Sequence, residues 1–168
     1  MRKTTAAAGT ALFLTVVPGT VAGLGPWWLT GWQMGHSYPA ALRVAGLILL
    51  AGGAAVLVHA FARFVMEGLG TPAPVAPTQR LVVGGLYRYV RNPMYLAVLA
   101  TIAGQALILS QPILLAYAAV VGTAVAAFVH YYEEPTLTRQ YGAEYQAYRQ
   151  AVPAWWPRQP RSHGKPST

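Results

Sequence analysis

The stretch NPMYLAVLATIAGQALILSQPILLAYAAVVGTAVAAFVHYY, residues 92–132, decides the fold. Its 41 residues contain no Lys, Arg, Asp or Glu, and they are interrupted by Ser110-Gln111-Pro112. Crossing a hydrocarbon core of about 30 Å takes about 20 predominantly apolar residues. Two such lengths joined by a tight turn predict a transmembrane helical hairpin. Its start is marked by Asn92-Pro93, an N-cap side chain followed by Pro at the first helical position. After Tyr132, Glu133-Glu134-Pro135 predicts the end of the second span.

Composition agrees with a membrane protein. The 168 residues are 55% hydrophobic and 10% charged, against roughly 25% charged in soluble domains. Twelve Lys and Arg against four Glu give a formal charge of +8. The basic residues are not clustered beside exposed aromatics, so nucleic-acid binding is not expected. The absence of Cys excludes a disulfide framework, an iron-sulfur cluster and a thiol nucleophile, and four scattered His make a metal site unexpected. No strand-helix alternation with a Gly-x-Gly-x-x-Gly turn is present, which excludes a soluble doubly wound nucleotide enzyme.

Upstream of the hairpin two more spans are expected. Residues 5–24 form an uncharged apolar run, with a cleavable signal peptide as the alternative reading of the basic start at Arg2 and Lys3; the run exceeds the usual 7 to 15 apolar residues of such a peptide. Gly25-Pro26 ends it, and Trp27, Trp28, Trp32 and Tyr38 suit the headgroup layer. Arg43 and Arg63 then bracket nineteen uncharged residues, with both guanidinium groups placed to snorkel outwards. His59, one turn before Arg63, reads as an interface residue. Residues 67–91 are rich in Gly and Pro and must stay outside lipid. Downstream, Tyr141, Tyr145 and Tyr148 share a helical face, predicting a tail that lies along the membrane surface.

The expected architecture is an all-α membrane protein of about four transmembrane helices with an interfacial C-terminal helical segment. It divides into spans one and two (residues 1–66), a region of loop, hairpin and tail (67–157) and a disordered basic end (158–168). Four spans put the N-terminus, the long loop and the tail on one side, with two, four and five of the twelve basic residues, and leave only Arg43 opposite. The positive-inside rule then predicts a multi-pass cell-membrane protein with both termini cytoplasmic.

Polar chemistry gathers in two places. Gly84-Gly85-Leu86-Tyr87-Arg88-Tyr89-Val90-Arg91-Asn92-Pro93-Met94-Tyr95 leads into the third span. Asn92 and Pro93 are explained as a helix start, and Arg88 and Arg91 as partners of anionic headgroups. The same helix N-terminus, with an Asn, a Tyr and an Arg, is equally suited to a carboxylate. Glu133 and Glu134, expected at a helix C-terminus where the macrodipole disfavours them, should meet a cation: an Arg of the neighbouring loop or a ligand's ammonium.

Gly85-Leu86-Tyr87, Arg91-Asn92-Pro93 and Tyr95, followed about forty residues later by Glu133-Glu134-Pro135, Leu137, Tyr141-Gly142, Tyr145, Tyr148 and Val152-Pro153, resemble the isoprenylcysteine carboxyl methyltransferase family and the related phospholipid N-methyltransferases. The upstream residues 68–74 and 26–32 are similar to small bacterial members. The resemblance implies an integral membrane methyltransferase using S-adenosylmethionine. It implies a pocket between the ends of spans three and four, roofed by the C-terminal segment and open to lipid. Gly85, Tyr87, Arg91, Asn92, Pro93 and Tyr95 would hold the cofactor, with Glu133 or Glu134 reaching its amino group or a neighbouring Arg. Three positions depart from the family: Asn92 stands where many relatives have His, Ala97 where a Gly is frequent, and Ala151 where eukaryotic members place an active-site Arg. Arg149 is the candidate substitute, so the catalytic candidates are Glu133, Glu134 and Arg149.

Methyl transfer from a sulfonium is an in-line displacement whose leaving thioether needs no acid, so positioning in a dry site supplies much of the rate. A carboxylate acceptor needs no base, whereas an amine or hydroxyl needs a proton acceptor such as Glu133, Glu134 or Tyr87. The acceptor is expected to be a lipid or lipid-anchored molecule reaching the pocket from the bilayer. The rival readings are a membrane-embedded NADPH-dependent reductase of sterol-reductase-like architecture, which needs more basic phosphate contacts, and a non-enzymatic assembly or transport protein.

Overall fold

A computed structural model describes residues 12, 16–63, 66 and 80–158. The first part of the first expected span, most of the Gly- and Pro-rich loop with Glu67, and the basic end from residue 159 lie outside the described residues. The described chain is helical, with no strand among the described residues. The π-turn Thr20–Leu24 runs into the short helix α1 (Gly25–Thr30). Helix α2 (Ala40–Arg63), a 3₁₀ turn (Gly85–Arg88) and the hairpin of α3 (Pro93–Leu109) and α4 (Ile113–Phe128) follow. A π-turn (Val129–Glu133) joins α4 to α5 (Glu134–Tyr141), and α6 (Ala143–Ala151) completes the order.

Among the described residues, two helices are long and apolar enough to cross a membrane: α2, and the continuous 29-residue helix Ile113–Tyr141. The third expected span, α3, is apolar but has 17 residues. Apolar side chains such as Leu47, Ile48, Val58 and Val120 are exposed along α2 and α4, as expected of helices whose outer faces meet lipid.

α2 and α3 share the most extensive helix-helix interface, and small residues make it possible. A Cβ on Gly46 would stand 2.8 Å from the Gly104 carbonyl oxygen, and one on Gly53 2.6 Å from Thr101 Oγ1. Close backbone approach through Gly and Thr is how helices gain packing contacts where lipid provides no hydrophobic driving force.

The hairpin turn falls where the sequence places it. Ser110 takes a left-handed conformation (φ 54°), and its buried Oγ accepts a hydrogen bond from the Tyr38 N–H at 3.0 Å. The Gly35 N–H donates to the Leu109 carbonyl at 2.8 Å. The loop carrying exposed Trp27, Trp28 and Trp32 is thereby docked at the turn, so the aromatic belt and the polar stretch 84–95 sit at opposite ends of α3.

One expectation requires correction. The helix of the fourth span does not stop at Tyr132: it runs on through Glu133 and Glu134 to Tyr141. Pro135 lacks an N–H and would clash with the preceding turn of a regular helix, but the π-turn Val129–Glu133 widens the helix just before it. The carboxylates therefore stand inside a continuous helix, and the opposing macrodipole argument does not apply. In the tail, Gly142 (φ 54°) separates α5 from α6, and Tyr145 is buried.

Candidate active site

The Tyr87–Tyr95 stretch and the Glu pair meet at one end of the hairpin. Arg91 Nη1 donates to Glu134 Oε1 at 2.6 Å and to the Tyr145 hydroxyl at 3.1 Å. Tyr95 donates its hydroxyl to Glu133 Oε2 at 2.8 Å. Arg149 Nη2 stands 3.6 Å from Glu134 Oε2, with its side chain 52% exposed, whereas those of Arg91 and Glu134 are each 11% exposed.

The two carboxylates thus have different roles in the architecture. Glu134 is neutralised by Arg91, with weaker support from Arg149. Glu133 accepts a phenolic hydrogen bond and has no ion-pair partner among the described residues.

The C-terminal segment is tied across this end by backbone as well as side chains. The Arg91 N–H donates to the Pro153 carbonyl at 2.9 Å, and the Arg158 N–H to the Tyr89 carbonyl at 3.0 Å. Asn92 occupies the N-cap position of α3 with Pro93 in the first turn, as the sequence suggests, but its side chain makes no capping bond. Its amide donates to the Ala154 carbonyl at 3.2 Å instead. Asn92 thus serves as a strap for the tail and not as a side-chain cap. Tyr148 donates its hydroxyl to the Tyr87 carbonyl at 2.7 Å. Burial pushes the phenols of Tyr87, Tyr145 and Tyr148 up from their ordinary range. For Tyr145 and Tyr148 the positive charge of Arg91 opposes that shift without cancelling it. These hydroxyls are therefore neutral at physiological pH.

Gly85 and Pro93 shape this region without lining its cavity. Gly85 has φ 58°, and a Cβ there would lie 2.6 Å from His59 Nε2 and 2.8 Å from Arg63 Nε. The end of α2 presses on the 3₁₀ turn at a point that only Gly can occupy, which holds Tyr87 inwards beside Ala60 and Val82.

A cavity of about 640 Å³ opens from this polar end. Tyr87, Arg91, Asn92, Tyr95, Glu133, Glu134, Tyr145 and Tyr148 line one part of it. Apolar residues of α3, α4 and the N-terminal segment, among them Val21, Val98, Val121 and Phe128, line the rest. Arg149 lies outside it, beside Thr138, Gln146 and Gln150 on the outer surface. Trp155 and Trp156 do not line it. The sequence reading missed the inward hydrogen bonds of Tyr145 and Tyr148; their spacing of three was the signal, but it could not say which way the shared face points.

Fold and site define a helical membrane protein with a polar cluster at one end of a hairpin and an apolar chamber beneath it. The sequence profile of the phospholipid methyltransferase family matches residues 41–144, a span holding α2, the hairpin and both carboxylates, and the chain belongs to that family. Membership makes it a membrane methyltransferase by family. No curated protein and no solved structure matches the chain.

Proposed function

We propose that the protein transfers a methyl group from S-adenosylmethionine to a hydrophobic or lipid-anchored acceptor at the cytosolic face of the cell membrane. The observation that carries this reading is a single cavity with a polar end and an apolar arm, which suits a water-soluble cofactor and an apolar-tailed acceptor held side by side. Eleven of twelve basic residues on one side favour four spans with both termini cytoplasmic.

The residues at the polar end fit the cofactor. Its carboxylate needs a donor, and Arg91 Nε is buried with no hydrogen-bond partner. Its ammonium needs an acceptor, and Glu133 makes no ion pair within 4.0 Å among the described residues. Tyr87, Asn92 and Tyr95 complete the surrounding wall, with Gly85 and Pro93 setting the backbone that carries them. Bound there, the cofactor supplies an electrophilic methyl group on a sulfonium. Arg91 is the only cation that lines the cavity among the described residues, which disfavours a phosphate-rich nicotinamide cofactor.

Among acceptors the balance of charge favours an amine over a carboxylate. Arg91 is committed to Glu134, so the described residues of the cavity offer no second guanidinium for an anionic acceptor. Glu133, held in place by Tyr95, takes the cofactor's ammonium, and an ammonium acceptor loses its proton to water before its lone pair attacks in line. Glu134 orients Arg91. Arg149 acts through Glu134 as a positioning residue, steadying it from the outer surface.

The test is incubation of purified protein with methyl-labelled S-adenosylmethionine and bilayers containing a phospholipid with a primary amine headgroup. Label recovered in the lipid fraction is expected. Label recovered only on a water-soluble acceptor, or no transfer to any amine-bearing lipid, overturns the reading.

A further inference from the structure

The apolar arm of the cavity ends at a specific place. Tyr117 is the deepest α4 residue lining it, and Tyr132 lies at the polar end. At 1.5 Å per residue the arm extends about 22 Å along the helix. Tyr117 is fixed there by two features of the N-terminal segment. Its hydroxyl donates to the Val21 carbonyl at 2.8 Å, inside the π-turn Thr20–Leu24, where the helix has lost its regular bonding. Its phenol also occupies the space that a Cβ on Gly25 would need. Below it, Leu114, Ile102 and Ala106 are fully buried and pack with Ala22, leaving no continuation of the chamber.

We propose that Tyr117, seated against Gly25 and held by Val21, is the floor of the acceptor site and sets the longest apolar chain it accepts. The inference rests on reading the cavity as the acceptor's site. A chain covering one leaflet's half of the core, about 15 Å, clears the floor; chains that approach the full arm in extended form meet the tyrosine ring. Within the arm, each further methylene adds packing contacts with the wall and raises affinity. At the floor that gain stops.

The experiment measures binding of single-chain lysophosphatidylethanolamines of increasing chain length to the purified full-length protein, by competition in native mass spectrometry from one detergent. Methyl transfer to the same series is recorded in parallel. In the wild type, affinity should climb with each methylene to a break and then level or fall. Tyr117→Ala should move the break to longer chains, and Val121→Phe, which fills the arm one turn above, should move it to shorter ones. Tyr117→Phe loses the bond to Val21 but keeps the ring, so it should leave the break in place; a purely structural tyrosine would make Phe and Ala behave alike. A break unmoved by both Tyr117→Ala and Val121→Phe, or no break in the wild type, overturns the floor. Should Tyr117→Ala not fold, Val121→Phe alone decides. A break that shifts as stated without methyl transfer to any chain overturns the methyltransferase reading and leaves the floor standing; transfer with an unshifted break does the reverse.

Discussion

Glu133 and Glu134 are sequence neighbours with opposite surroundings, and their substitution should separate stability from chemistry. Glu134 is one half of a buried pair with Arg91; removing one partner of such a pair leaves an uncompensated charge and costs about 3 to 5 kcal/mol. Glu134→Gln should therefore lower the melting temperature sharply. Arg149→Ala should cost less than about 1 kcal/mol, because Arg149 is half exposed and 3.6 Å away. Glu133→Gln removes a half-buried charge that makes no ion pair among the described residues, so melting should be unchanged or improved, while methyl transfer falls by about a hundredfold or more because the cofactor's ammonium loses its partner. Equal melting losses for Glu133→Gln and Glu134→Gln would sink this division of labour. Gly85 is a purely steric case. Gly85→Ala forces a Cβ at φ 58° into His59 and Arg63 and should destabilise by more than about 1 kcal/mol. Gly84, at φ −84°, should tolerate Ala with a smaller loss in the same melting assay.

Among the elements, the C-terminal segment depends on short polar ties. Asn92→Ala removes the bond to the Ala154 carbonyl, worth about 1 kcal/mol, and hydrogen exchange should quicken over residues 152–158. Asn92→Ser should exchange as fast as Ala, since a shorter side chain cannot span the same gap; protection restored by Ser would mean that capping matters after all. The phenols of α6 predict a response to alkali. Tyr145 and Tyr148 titrate above their ordinary value of 10.0 because of burial. Below about pH 10 they are neutral in both folded and unfolded chains and have no effect on the slope. Above it the unfolded chain ionises first, so stability is lost as pH rises. Melting curves across that range should show the loss, and Tyr148→Phe should reduce it.

For the whole molecule, a protein without Cys permits clean single-cysteine labelling. Ser37→Cys, in the aromatic loop, and Gln146→Cys, on α6, are exposed positions at opposite ends. An impermeant thiol reagent added to intact cells should label the first and spare the second; labelling of both from outside would refute the proposed topology. The hairpin was legible because 41 residues without charge and one Pro-containing turn leave few alternatives. The meeting of Arg91 with Glu134 rather than Glu133 was not, since adjacent acids differ only in the direction each side chain takes from the helix. Nor could sequence show that the helix passes through Pro135, because the π-turn that permits it has no composition of its own. Gln105 and Tyr117 illustrate a signal that was present and overlooked. Both are polar residues inside apolar runs, and their side chains donate to the Ala22 and Val21 carbonyls at 2.6 and 2.8 Å, satisfying backbone groups that lipid cannot.

The central claim concerns which cofactor the polar end binds, and calorimetric titration of the purified protein with S-adenosylhomocysteine and, separately, with NADPH tests it most directly. The account predicts saturable binding of S-adenosylhomocysteine, weakened by substitution of Arg91 or Glu133, and no binding of NADPH. Saturable binding of NADPH with none of S-adenosylhomocysteine would contradict it.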